Sequence, residues 1–305
     1  MPDGIETHLP QWLGAIQSMA QYQKLFVTGC PKSGTTWLMK CLNGHPQIVV
    51  GGEGRFAWRL FPFLHQAASA FNNDQQANGG SPEALIRDPE LHLVMRSFSA
   101  NTFLRYLLAS NKPAGTVRII GDKTPQHVLS VPLLRTLYPT CKFINIVRDP
   151  RDAAASALFH LNKDHPEPKE LYIEKFITQT WKIHVESAIA AERQLGTNVF
   201  LNIRYRDLHQ NESDVLRRCL EHLQVDASGE MIRLCSQAGS FDKLSGGRKR
   251  GQVDSSSFYR SGTIGGWTNH IDSALADRCC RSVAGLMNHF GYSVGPSTLL
   301  AGIAA

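Results

Sequence analysis

The apolar residues of this chain fall into short runs separated by longer amphipathic stretches. Residues 24–30 (KLFVTGC) form an apolar run that ends at glycine, and the run predicts a buried strand. The same pattern predicts strands at 48–50 (IVV), 117–121 (VRIIG), 142–147 (KFINIV) and 199–205 (VFLNIRY). Helices are expected between them: at 35–43, over most of 57–111 with a polar break at 72–82, at 125–137, from 150 onward, at 168–195, and on to 235. Asn43-Gly44-His45-Pro46 stops the first helix. Asp149-Pro150 opens another, with Asp as the cap, Pro at the first helical position and Asp152 three residues after the cap. Residues 239–267 are rich in Gly, Ser and Arg without a period, which predicts a long loop; a last helix is expected at 273–290. Short apolar strands alternating with helices predict an α/β fold with a central parallel sheet of about five strands flanked by helices on both faces. Nothing marks a linker or a repeat, so one domain over 1–305 is expected, with 1–23 as an N-terminal extension.

Composition narrows the chemistry. Hydrophobic residues at 42% and charged residues at 19% exclude a disordered chain. The net charge of +6 suits an anionic ligand but is too small to imply nucleic acid. Seven cysteines, an odd number with no Cys-x-x-Cys pair, argue against a disulfide framework and against structural zinc. The histidines are scattered without ligand spacing, so no metal is expected. Without a basic start followed by an apolar run, or about 18 consecutive apolar residues, no leader and no membrane span are expected. The combined expectation is a reduced, soluble, cytoplasmic protein.

The segment with the most specific chemistry is Gly29-Cys30-Pro31-Lys32-Ser33-Gly34-Thr35-Thr36-Trp37, between the first strand and the first helix. Loop and helix N-terminal N–H groups converge on one point there, and the helix dipole adds positive charge. Lys32 and the hydroxyls of Ser33, Thr35 and Thr36 add charge and donors. A nucleoside triphosphatase loop would carry lysine after the second glycine. Here Thr35 stands in that place and the cation sits inside the loop at Lys32. That arrangement departs from a magnesium–triphosphate site and fits a 5′-phosphate bearing one further anionic group. The expected fold is therefore a three-layer sandwich of the P-loop-like kind.

Residues 24–38 resemble the 5′-phosphosulfate loop of sulfotransferases that use 3′-phosphoadenosine 5′-phosphosulfate (PAPS), and further matches follow in order over about 24 to 292. The resemblance implies a sulfuryl donor PAPS, its product 3′-phosphoadenosine 5′-phosphate (PAP), and a hydroxyl-bearing acceptor. It implies that Arg148 and Ser156 hold the 3′-phosphate, together with Arg260, Ser261 and Gly262 of a second segment. Ser261 stands where the family often has lysine. Trp37, Tyr205 and Phe241, the last beside Ser240, are candidates to flank the adenine by stacking. The neighbouring Arg151 and Asp152 are read as a structural pair. Residues 267–277 overlap the family's dimer segment, but Thr268, Asp272-Ser273 and Asp277 replace its usual residues, so the oligomeric state stays open.

Sulfuryl transfer needs a neutralised leaving phosphate, stabilised sulfuryl oxygens and a proton acceptor. Lys32 suits the first task. Lys123, in Gly121-Asp122-Lys123-Thr124-Pro125, suits the second. The aryl and steroid branch of the resembled family has Lys-Thr-His, with histidine as base; here Pro125 replaces it. The Lys-Thr-Pro form looks more like bacterial and carbohydrate sulfotransferases, which tend to place a glutamate after the second strand. Glu53, in Gly51-Gly52-Glu53-Gly54-Arg55, is therefore the candidate general base. The competing reading of Glu53 is a surface carboxylate on a glycine turn. His127 is the substitute base, though a packing or solvent role fits it better. Residues 56–64 and the helix over 90–109 are candidates to line an acceptor pocket, with an alkyl or sugar hydroxyl mildly favoured over a phenol or lipid. Residues 246–251 are read either as a basic loop over the nucleotide or as a solvated charge run. Two other functions compete: a P-loop kinase or nucleotide hydrolase, which would need an acidic magnesium ligand such as Asp149, and a non-catalytic nucleotide-binding protein.

Overall fold

The computed structural model describes residues 14–80, 83–161, 167–249 and 263–295. A helix over 14–20 (α1) leads into β1 (Gln23–Gly29), followed by α2 (Thr35–Leu42) and β2 (Ile48–Gly51). A π-helical turn, Phe56–Leu60, runs into α3 (Phe61–Ala77), and α4 (Asp88–Ala109) returns to β3 (Ile119–Lys123). A 3-10 segment, Pro125–Ser130, then α5 (Val131–Leu137) and β4 (Lys142–Val147) come next. After them come α6 (Pro150–Leu161), α7 (Lys169–Lys175), a second π turn (Phe176–Trp181), α8 (Lys182–Leu195) and β5 (Phe200–Arg204). The described residues beyond β5 add α9 (Tyr205–Gln210), α10 (Glu212–His222), α11 (Gly229–Ala238), α12 (Phe241–Ser245), α13 (Ser273–Ser282) and α14 (Ala284–His289).

The five strands form one parallel sheet, as the strand–helix alternation predicts, and their order is β2-β3-β1-β4-β5. Because side chains alternate across a strand, each strand feeds two cores. Phe26, Ile120, Phe143 and Phe200 enter one core with Phe103 and Tyr138; Leu25, Val27, Ile144, Ile146 and Ile203 enter the other with Leu38 and Leu216. Phe26 lies opposite Phe143 and Phe143 opposite Phe200, and their rings stack at 5.5 and 5.6 Å. A third cluster, around Trp181 and Trp267, joins α6 to α13.

Three sequence expectations change. Residues 14–22 belong to the packed body: Ala15, Met19 and Tyr22 are buried in the first core, and the Lys24 ammonium ties α1 down by donating to the carbonyls of Met19 and Tyr22. The stretch 239–267 is not wholly irregular, since α12 and a 3-10 turn at Gly266–Asn269 lie within its described parts. The helix expected over 168–195 contains a π turn, which apolar spacing alone does not reveal. Among the described residues, no helix is long and apolar enough to cross a membrane.

Phe26 is fully buried and meets the rings of Phe56, Phe103, His127, Tyr138 and Phe143. Phe26→Ala is therefore expected to cost about 3–5 kcal/mol in urea unfolding. A loss below about 1 kcal/mol would show that this core is not the one that carries stability.

Candidate active site

The tips of the parallel strands carry the site. The first element is the turn between β1 and α2. Ser33 N–H closes it onto the Cys30 carbonyl at 3.1 Å, and Lys32 has a left-handed φ of 68°. Gly34 has φ 101°, and a Cβ there would lie 2.6 Å from the Tyr205 ring, so glycine is required both for conformation and for space. α2 begins with no side-chain cap and no acidic residue in its first turn, which leaves its N-terminal N–H groups and dipole uncompensated. Ser33 Oγ is fully buried without a hydrogen-bond partner. An uncapped helix start, a cation in the loop and a buried unpartnered hydroxyl fit a phosphate-sized anion. Pro31, Lys32 and Thr36 are half-buried around it, and Thr35 is buried.

Arg148, at the end of β4, closes one side. Its guanidinium donates to the Lys32 carbonyl at 3.0 Å and the Thr263 carbonyl at 3.3 Å, and lies 4.4 Å from the Tyr205 ring centre. Arg148 Nε is buried without a partner. Trp181 fixes the backbone there by donating its indole N–H to the Arg148 carbonyl. Trp37 and Tyr205 pack edge to face at 5.5 Å. A Cβ at Gly239 would run into Cys41 and meet the Trp37 indole at 3.3 Å, so the stretch just before Ser240 and Phe241 passes close to the first adenine candidate. Phe241 starts α12 and faces the Arg248 guanidinium at 5.8 Å. Ser156 is half-buried on α6, downstream of Arg148. Arg260, Ser261 and Gly262 lie outside the described residues.

Arg151 and Asp152 are both structural, but they do not pair with each other as the sequence suggests: Arg151 pairs with Asp149, and Asp152 turns to backbone N–H groups. Arg151 is buried, forks onto Asp149 at 2.9 and 2.7 Å, and donates to the carbonyls of Ser293, Val294 and Gly295. Asp149 is thus committed to a guanidinium, which removes the one tempting magnesium ligand. Asp152 accepts the N–H groups of Gly265 and Trp267; burial raises its carboxyl above the usual range against the pull of Arg148.

The second element lies at the ends of β2 and β3. Lys123 Nζ donates to Glu53 Oε1 at 2.6 Å. Arg55 holds Glu53 Oε2 through Nε at 3.1 Å and Nη2 at 2.9 Å. Partial burial pushes the Glu53 carboxyl up, but the bonds from Lys123 and Arg55 outweigh it and hold it below the ordinary carboxylate range. Glu53 keeps 28% of its side-chain surface open, while Lys123 keeps 6%. A carboxylate has about four acceptor positions, and three are filled, so one remains for an incoming O–H.

His127 is not a solvent histidine. It is fully buried, donates through Nε2 to Asp122 Oδ1 at 2.8 Å, and sits between the Phe26 and Phe56 rings. Asp122, Tyr106 and Thr124 form a buried network under the Glu53 turn that the sequence reading does not single out. The available signal is an aspartate at the end of an apolar strand; Tyr106, 16 residues away, gives none.

A sequence model described as the sulfotransferase family matches residues 24–229. The chain is 30% identical over 208 residues to protein-tyrosine sulfotransferase 2 of Gallus gallus, covering 68% of this chain and 53% of that protein. It is 27% identical over 225 residues to nodulation protein NoeE of Sinorhizobium fredii, covering 67% and 50%. The chain therefore spans about half the length of both relatives. Among solved structures it resembles mouse sulfotransferase SULT7A1 complexed with PAP, with a TM-score of 0.55 at 18% identity over 92% of this chain and 90% of that one; this likeness speaks for the fold.

Removing a buried unpartnered hydroxyl relieves a desolvation penalty of about 1–3 kcal/mol. Ser33→Ala is therefore expected to leave the ligand-free urea midpoint unchanged or raised, while reducing the stabilisation given by millimolar inorganic phosphate. A lowered midpoint without phosphate would contradict the reading of this hydroxyl as a ligand donor.

Proposed function

The chain belongs to the sulfotransferase family, and on that footing we propose that it transfers a sulfuryl group from PAPS to an acceptor hydroxyl with Glu53 as general base. The observation that carries this reading is the contact of Glu53 with Lys123 at 2.6 Å, at the strand tips beside the uncapped start of α2. In the reaction the acceptor oxygen forms a bond to sulfur as the bond from sulfur to the 5′-phosphate oxygen breaks. The acceptor proton goes to Glu53, which has an open acceptor position. Lys123 supplies positive charge toward the sulfuryl oxygens, and Lys32 with the α2 N-terminus neutralises the leaving phosphate. Arg148 and Ser156, with Arg260, Ser261 and Gly262, are assigned to the 3′-phosphate. Trp37, Tyr205 and Phe241 are assigned to the adenine side.

A phenol is the acceptor class that fits best. A carboxylate held below its ordinary range is a weak base, and it takes a proton more readily from a phenol, with a pKa of about 10, than from an alkyl hydroxyl. The tyrosine acceptor in the name of the Gallus gallus relative points the same way. This departs from the alkyl or sugar hydroxyl favoured on the sequence. Seven buried cysteines, none of them in a disulfide, fit the reducing, cytoplasmic setting that is part of the same proposal.

Two measurements test the base. Glu53→Gln is expected to lower kcat by about 10²–10⁴ while leaving the donor KM unchanged; turnover near wild type would refute the assignment. The sign of the Glu53 shift keeps the carboxylate ionised through neutral pH and lets activity fall only as pH drops into the acid range. At saturating donor, kcat/KM for the acceptor should stay flat from pH 8 down to about 5.5, roughly a unit above an ordinary glutamate. An acid limb centred near pH 6.5 would point to a histidine base instead.

A further inference from the structure

Beneath the Glu53 turn lies a carboxylate that touches no solvent. Asp122 is fully buried at the end of β3, in register with Phe26 of β1 and Gly51 of β2. Four donors meet its two oxygens. Oδ2 accepts Gly54 N–H at 2.8 Å and Tyr106 O–H at 2.7 Å; Oδ1 accepts Thr124 O–H at 2.6 Å and His127 Nε2–H at 2.8 Å. Thr124 Oγ1 in turn accepts Arg55 N–H at 3.2 Å. Burial alone would raise this carboxyl, but the bonds from His127, Thr124 and Tyr106 hold it below the usual range.

The donors divide into two groups. Tyr106 reaches in from α4, and His127 is packed between Phe26 and Phe56, so these two fix the carboxylate to the core. Gly54 N–H and, through Thr124, Arg55 N–H belong to the turn that carries Glu53. The network therefore fastens the two peptide N–H groups that follow Glu53 and aims its side chain at Lys123. It also explains Gly54. A Cβ there would sit 2.8 Å from Asp122 Oδ2 and 2.9 Å from the Phe56 ring, so a side chain would push the turn off its anchor.

We propose that Asp122 is a positioning residue that acts through Glu53, with Tyr106 and His127 holding Asp122 in turn. The inference rests on the reading of Glu53 as base. A merely structural role would lower stability without distinguishing Glu53 from the rest of the site. A positioning role makes the loss depend on Glu53 being there to be aimed.

The test is single-turnover transfer from radiolabelled PAPS to a phenolic acceptor, with donor KM and thermal melting measured on the same proteins. The variants are Asp122→Asn, Tyr106→Phe and Gly54→Ala, each made in the wild-type and in the Glu53→Gln background. Displacing a catalytic group by about an ångström costs roughly 10²-fold, so Asp122→Asn is expected to lower the rate about 10–100-fold with donor KM within about twofold. Tyr106→Phe and Gly54→Ala should lower it about 3–10-fold on the same grounds. In the Glu53→Gln background, each further loss should shrink to less than about twofold. Equal fold-losses in the two backgrounds, or a folded Asp122→Asn enzyme at wild-type rate, would overturn the positioning role alone. Wild-type turnover in Glu53→Gln would sink the base assignment and this role with it. If Asp122→Asn does not fold, Tyr106→Phe and Gly54→Ala decide the matter by the same criterion.

Discussion

Glu53 and Lys123 meet because β2 and β3 are parallel neighbours in register. Gly51 lies opposite Asp122, so the residues just beyond β2 rise beside Lys123. Parallel strands lie about 4.8 Å apart, and β1 is the next strand over, which brings the β1–α2 turn to the same edge of the sheet. Three strand ends thus deliver a carboxylate, a buried lysine and a helix N-terminus to one place. Ligands of open α/β sheets bind at this carboxyl edge. The two faces of β3 divide the labour: Asp122 turns toward Tyr106 and His127, while Lys123 is left to Glu53.

The surroundings of the β1–α2 turn are held by packing as much as by charge. Tyr205 closes against Gly34, Trp37 and Arg148 at once, so the turn and the arginine share a wall. Arg148 spends two donors on the carbonyls of Lys32 and Thr263. Asp152 pins the N–H groups of Gly265 and Trp267, which fixes the same segment from the other side. The loop is therefore preformed, and little ordering entropy is left to be lost when an anion enters.

The strands were legible because a sheet covered on both faces needs nearly continuous apolar runs, as in 142–147. The turn between β1 and α2 was legible because an apolar run that ends in glycine, with a second glycine five residues on, marks a tight strand-to-helix turn. A structural role for Arg151 was legible because aspartates flank it at a helix start, but its partner is Asp149 and not the adjacent Asp152. The Asp122 network was not legible, since Tyr106 and His127 approach it from separate elements and only the fold unites them. His127 was ambiguous for a related reason: the 3-10 segment Pro125–Ser130, and not an α-helical face, decides that its ring points inward. The π turns at Phe56–Leu60 and Phe176–Trp181 leave no mark in apolar spacing.

On the proposed function, one pocket at the strand tips grips an adenosine carrying phosphates at both its 3′ and 5′ positions. Calorimetric titration of PAP against the protein, with magnesium–ATP titrated in parallel, tests it most directly. PAP is expected to bind at a single site with micromolar or tighter affinity, and magnesium–ATP to bind at least about 100-fold more weakly, the equivalent of roughly 2.7 kcal/mol. Tight magnesium–ATP binding with no measurable heat from PAP would contradict it.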